Sequence, residues 1–224
     1  MSKANMEHIL GAAAAASLLA LATAFVPGGQ FVGQAHAQAA TSAPAGPPAR
    51  IRGTIVSLKD QVMVVKPKGG GANITVKLTP DFKVAGAVKL SQADIKDNSY
   101  LGIAARKEKD GILHAQEVLV FPEQMRGVGE GQRGWDLTPD STMTNAAVSG
   151  MAKAKGANKV TLTYKDGSAD IIIDPKTPIW TIKPADASLL KPGAYIVAMG
   201  PKASDGSVTV GNVTAEMNGF KPAN

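Results

Sequence analysis

Along most of the chain, apolar residues come in short runs that alternate with polar ones, and Gly, Pro, Asp or Asn closes each run. Ile74, Val76 and Leu78 fall on one side of such a run, and Val160, Leu162 and Tyr164 on one side of another. A period of two turns successive side chains to opposite faces, so these runs predict half-buried strands. Val, Ile, Thr and Leu dominate them, as a pleated surface favours. The spacing predicts strands over 61–66, 73–78, 100–105 and 112–121, and again over 159–164, 169–174, 195–200 and 207–217. Two polar stretches, 91–97 and 186–191, predict short helices. Ser91 with Asp94 three positions on has the form of a helix N-cap.

The two sets are copies of one pattern. The first opens with Arg52-Gly53-Thr54-Ile55-Val56 and the second with Ser149-Gly150-Met151-Ala152, which sets Gly150 97 residues after Gly53. Thr79-Pro80-Asp81 and Asp174-Pro175-Lys176 read as matching turns, while Asp110-Gly111 and Asp205-Gly206, 95 apart, each introduce a last strand. Each copy reads strand, strand, strand, short helix, strand, strand. This order is similar to the OB-fold, a five-stranded Greek-key barrel whose closure removes exposed strand edges. A small five-stranded barrel of another topology is the alternative. The expected fold is all-β with short helices: two tandem OB-like barrels, one per copy, over 50–123 and 145–224.

The N-terminus follows a different pattern. Residues 11–26 are rich in Ala and Leu and uncharged, Lys3 lies in the polar opening, Gly28-Gly29 breaks the run, and Ala35-His36-Ala37 fits a small-x-small cleavage site. This reads as a secretory signal over 1–37, cut between Ala37 and Gln38. The apolar run is too short for a preferred membrane span, and no second run is long enough. Without Cys, a lipoprotein anchor is excluded. Residues 38–49, made of Ala, Pro, Ser, Gly, Gln and Thr, read as a flexible leader. The expected location is periplasmic or secreted.

The opening Arg50-Ile51-Arg52-Gly53-Thr54-Ile55, the stretch Phe121-Pro122-Glu123-Gln124-Met125-Arg126-Gly127, and the later Gly129-Glu130-Gly131, Trp135-Asp136-Leu137 and Ser141-Thr142-Met143-Thr144-Asn145-Ala146 carry a resemblance. With them the chain resembles an uncharacterised bacterial family of exported tandem β-domain proteins. The resemblance spans the chain after the signal and implies OB-like repeats. It implies no catalytic or binding residue.

The segment between the copies, 124–144, is Gly-rich yet holds Trp135, which a plain flexible linker seldom carries. Trp135 and Met125 are candidates to anchor it on a barrel or to meet a partner, and Arg126 and Arg133 are candidates to hold a carboxylate or phosphate by paired hydrogen bonds. The alternative is that Trp135 is a pin between the two domains. Gly129-Glu130-Gly131-Gln132-Arg133-Gly134 matches a dinucleotide fingerprint in letters alone. The strand before it and long helix after it are missing from the pattern, and Ala154 stands where the acid belongs.

Composition narrows the chemistry. With no Cys and, after the signal, only His114 in 187 residues, thiol catalysis, Cys-ligated metals and a Ser/His/Asp site lose their means. His114 and Glu117 fall on opposite strand faces, which leaves His114 as a lone surface residue. Glu123, Glu130, Asp136 and Asp140 cluster in sequence as oxygen donors for a hard cation, but in no EF-hand spacing. The net charge of +6 divides as +4 on 50–123, −1 on 124–144 and +3 on 145–224. Copy one offers Lys59, Lys66, Lys68, Arg106, Lys107 and Lys109 as a basic rim. Few aromatics accompany it, which disfavours nucleic acid. No catalytic, cofactor or metal residues are assigned. The expectation is an exported non-enzymatic β-barrel protein that acts in the envelope by protein interaction or as a scaffold. The alternative is a binding module for an anionic ligand, a glycan, lipid head group or small anion. The contact candidates are Arg106, Lys107, Lys109, Arg126, Arg133 and Trp135.

Overall fold

A computed structural model describes residues 48–154 and 157–223. The signal segment 1–37 and residues 38–47 of the leader lie outside them. Pro48 and Ala49 do not belong to a leader: they open the first strand, opposite Pro201 and Gly200. The chain is all-β. Copy one supplies β1 (Pro48–Lys59), β2 (Val62–Pro67), β3 (Ile74–Leu90), β4 (Tyr100–Lys107) and β5 (Leu113–Val120). A short strand β6 (Gly131–Gly134) follows. Copy two supplies β7 (Ser141–Ala154), β8 (Ala157–Tyr164), β9 (Gly167–Ile173), β10 (Ile179–Ala185), β11 (Tyr195–Pro201) and β12 (Val208–Glu216). The helices expected at 91–97 and 186–191 are single 3-10 turns, Gln92–Asp94 and Ala187–Leu189. Ser91 caps the first as its spacing predicts, its N–H and hydroxyl both donating to Asp94 Oδ2 at 2.8 and 2.7 Å.

β1 pairs with β2 and β2 with β3, all antiparallel; β3 runs parallel to β12, β12 antiparallel to β11, and β11 returns to β1. These five strands close a barrel. Three come from copy one and two from copy two. The remaining ladders make the reciprocal circuit: β7 with β8, β8 with β9, β9 parallel to β5, β5 with β4, and β4 with β7. One barrel per copy is therefore corrected. After its third strand, each copy crosses over and donates its last two strands to the other's circuit. The cores obey the same rule. Ile55, Val65 and Val76 of copy one pack with Ile196, Val210 and Val213 of copy two, whereas Leu101, Ile103 and Val118 pack with Leu162, Ile171 and Ile173.

The crossing is made by two extended arms. The C-terminal half of β3 pairs antiparallel with β10, from Val84 opposite Ala185 to Leu90 opposite Ile179. Ala87 opposite Ile182 is the midpoint, and these two residues hold equivalent places in the repeat, so a local two-fold axis passes between them. Thr79-Pro80-Asp81, expected as a turn, lies inside β3. Pro80 lacks an N–H, but the ladder to β12 is interrupted there, jumping from Leu78–Val210 to Lys83–Asn212.

Bulges correct the alignment of the copies. The β1–β2 register skips Val56, and the β7–β8 register skips Ser149. An extra residue bends a strand, so β1 joins β11 with one half and β2 with the other. Val56 and Ser149 are thus the matching pair, and the counterpart of Gly150 is Ser57 rather than Gly53. Gly53 has its own reason: a Cβ there would lie 2.2 Å from Lys66 O.

Candidate functional site

The segment after β5 is a strap across the two circuits. A 3-10 turn at Glu123–Met125 begins it, and β6 then pairs with β7, Arg133 opposite Met143. The second copy therefore begins at Ser141, and the presumed loop ends in strand. Asn145 Nδ2 donates to Val128 O at 2.9 Å. The buried Ser141 hydroxyl donates to Thr138 O at 2.7 Å and lies 3.0 Å from Trp135 O, and Trp135 N donates to Ser141 O at 2.8 Å. Everything to this point anchors the strap on the second circuit. Trp135 and Asp136 then reach the first.

Alternation on β1 explains what they find there. Ile51 points into the core, 2% exposed, which turns Arg50 and Arg52 outward together. Arg52 donates twice to Asp136, at 3.2 and 2.9 Å, a fork geometry that orients as well as binds. The Arg50 guanidinium carbon lies 3.8 Å from the Trp135 ring centroid, and that of Arg133 lies 5.4 Å from it. Two cations thus share one indole face system, an attraction of roughly 0.5–2 kcal/mol each depending on desolvation. The hydrogen bond from Arg52, aided by the charges of Arg52 and Arg50, holds the Asp136 carboxyl below its usual range against the effect of burial. Burial and then the charge of Arg50 lower the Arg133 guanidinium.

Beneath this stack is a cleft of about 240 Å³, with Met125, Met143, Met199 and Trp180 among its walls. It straddles the local two-fold axis. Arg50 and Met143 hold equivalent repeat positions, as do Gly102 with Val197 and Leu119 with Thr214, and all six line it. A Cβ on Gly102 would come within 2.9 Å of Phe121 and 3.0 Å of Asn145 Oδ1, so the glycine keeps this wall open.

The structure unites Arg133 and Trp135, and adds Arg50, which the sequence reading quoted only as part of the domain opening. Arg50 and Arg52 flank a core Ile on a predicted strand, and that outward pairing was the available signal. Arg126 goes elsewhere. It is engaged with Glu123 at 2.5 and 2.8 Å and donates to Asn98 O at 2.9 Å, so it forms no clamp with Arg133.

The basic rim is divided. Lys59 ends β1, Lys66 lies in β2 and Lys68 just follows it, all in one circuit, whereas Arg106, Lys107 and Lys109 lie on the β4–β5 hairpin of the other. Arg106 is paired with Glu108 at 2.7 Å.

Three of the four sequence-clustered carboxylates have separate partners: Glu123 meets Arg126, Glu130 accepts from Lys165 N at 3.0 Å, and Asp136 meets Arg52. Among the described residues, no three His, Cys, Asp or Glu side chains come together as metal ligands would.

His114 is not a lone surface residue. Nδ1 lies 3.2 Å from Asp174 Oδ2 and Nε2 3.0 Å from Asp110 Oδ2, and the hydrogen bonds to Asp110 and then Asp174 raise its pKa against desolvation. Glu117, on the opposite strand face, is 1% exposed and accepts from Ala223 N at 2.6 Å.

No family model, no curated protein and no solved structure matches the chain.

Proposed function

We propose that this is an exported, non-enzymatic protein of the bacterial envelope, in which two OB-like barrels interlocked by strand exchange act as an interaction scaffold. The reading includes cleavage of a signal between Ala37 and Gln38 and kinship with exported tandem β-domain proteins. The observation that carries it is the strapped face: Arg50, Arg133, the half-buried Trp135 and Met199, 55% exposed, gather on one side of the junction. Trp, Arg and Met are the residue types enriched where proteins contact partners. Interlocking supports the role as well, because it holds that face on strands of both copies. A photo-crosslinker placed at Met199 in cells should trap an envelope partner, and one placed at Lys107 should not. Equal trapping at both positions, or none at Met199, would remove the reading.

A second reading, capture of an anionic ligand, is favoured by the same cluster. Arg50 and Arg52 face the single carboxylate of Asp136, and Arg133 joins Arg50 at the Trp135 ring. The junction, rather than the β4–β5 hairpin, is where an anion finds two guanidiniums. Binding there should weaken steeply with salt.

A further inference from the structure

We infer that the cleft under Trp135 binds a small anionic amphiphile, a carboxylate carried on a linear apolar chain. This rests on the second reading above and names its ligand class. Three polar atoms of cleft-lining residues are buried without a hydrogen-bond partner: Arg50 Nε, Trp180 Nε1 and Asn145 Oδ1. Trp180 is 2% exposed and Asn145 4%. Buried polar groups are almost always paired, and an orphan is costly, so three in one cleft mark a place that a ligand completes. Two of the three are N–H donors, which a carboxylate satisfies with its several lone pairs. The acceptor, Asn145 Oδ1, suits a bound water.

The walls suit the remainder of such a molecule. Met125, Met143, Met199, Leu119 and Phe121 present a flexible apolar lining. Met125, Ile182 and Thr214 also line a second cleft of about 510 Å³, giving a chain a direction in which to continue. Together these lie within the usual range for small-molecule sites. The local two-fold axis sets the polarity. Arg50 stands where the other copy has Met143, and Trp180 where copy one has Ala85, so only part of the cleft offers donors. The head belongs beside Arg50 and Arg133, and the chain runs toward Thr214.

Decanoate, kept below micelle formation, is the probe. Trp135 and Trp180 are the two tryptophans of the chain and both line the cleft, so intrinsic fluorescence reports filling directly. Saturable one-to-one binding is expected, at least tenfold tighter than that of decanol. Arg133→Gln, at an exposed position, should weaken decanoate about tenfold and leave decanol unchanged. Thr214→Phe should block both, and its melting midpoint shows whether the fold is kept. No saturable binding to the unmodified protein overturns the inference. So does equal affinity for decanoate and decanol with no response to Arg133→Gln. If decanoate fails while crosslinking at Met199 persists, the cleft assignment falls and the scaffold reading stands. Persistent decanoate binding without crosslinks has the opposite meaning.

Discussion

β1 and β7 occupy equivalent places in the two circuits, and their inward positions are alike in burial: Ile51 and Ile55 in one, Thr144 and Val148 in the other, all buried. Their outward faces have parted. β1 shows Arg50 and Arg52 where β7 shows Met143 and Asn145. β7 has β6 hydrogen-bonded beside it, whereas β1 receives only the side chains of Trp135 and Asp136. Close packing restrains an interior, and a surface is freer to diverge. The duplicated part of the pattern therefore builds the scaffold, and the departures from duplication build the site.

The largest effect should come from separating the copies. A fragment of residues 48–123 lacks β11 and β12, which close its barrel, and should stay unfolded, with collapsed amide dispersion in a proton–nitrogen NMR spectrum. A folded fragment would break the comparison at its root. Next come the cores. Ile103 and Ile196 are both 0% exposed, one in each, and Ile→Ala at either should cost about 2–5 kcal/mol. Because each core draws on both copies, either substitution should lower one common calorimetric transition rather than split it. Smaller still, Trp135→Ala should cost about 2 kcal/mol through lost packing and cation–π contact. It should also shift the amide signals of both β1 and β7. Shifts confined to β7 would show that the strap does not reach β1.

His114 provides the pH-dependent term. Its folded pKa is raised above the ordinary value of 6.5, so its contribution is fully present below that value and fades as pH rises through the folded pKa. Stability should therefore decline across that window, and His114→Gln should flatten the decline. The clasp joins β5 of copy one to Asp174 of copy two, so the term reports on the exchanged arrangement. The smallest effect is expected at the hairpin: Lys107→Ala with Lys109→Ala should change stability by no more than about 0.5 kcal/mol and leave decanoate binding untouched.

The strands were legible because alternation is a local signal. Their partners were not, because both copies present the same alternation and either pairing buries it equally well. The deciding segments were 83–90 and 179–185, which the pattern left unassigned. Gly86 interrupts the first and Pro184 the second, and Pro80 suggested a turn where β3 runs on. Continuation through Pro80 is what carries copy one's chain across, whereas copy two crosses through the turn that Thr177 N closes on Asp174 O. In the site, Trp135 stood out by its rarity in a Gly-rich segment, and Arg133 by its neighbourhood. Arg126 is held locally by Glu123, three residues away, rather than beside Arg133. Arg50 was hidden because its function depends on a strap that sequence spacing alone does not place.

Strand exchange is tested most directly by cysteine pairs, since the chain has no cysteine of its own. Lys77 and Thr209 face one another across β3 and β12. If each copy closed its own barrel, Lys77 would instead face His114, the repeat equivalent of Thr209. Partner positions on neighbouring strands fall within disulfide reach. Under mild oxidation, Lys77→Cys with Thr209→Cys should form an intramolecular disulfide and Lys77→Cys with His114→Cys should not. A bond in the second pair and none in the first would contradict the exchange.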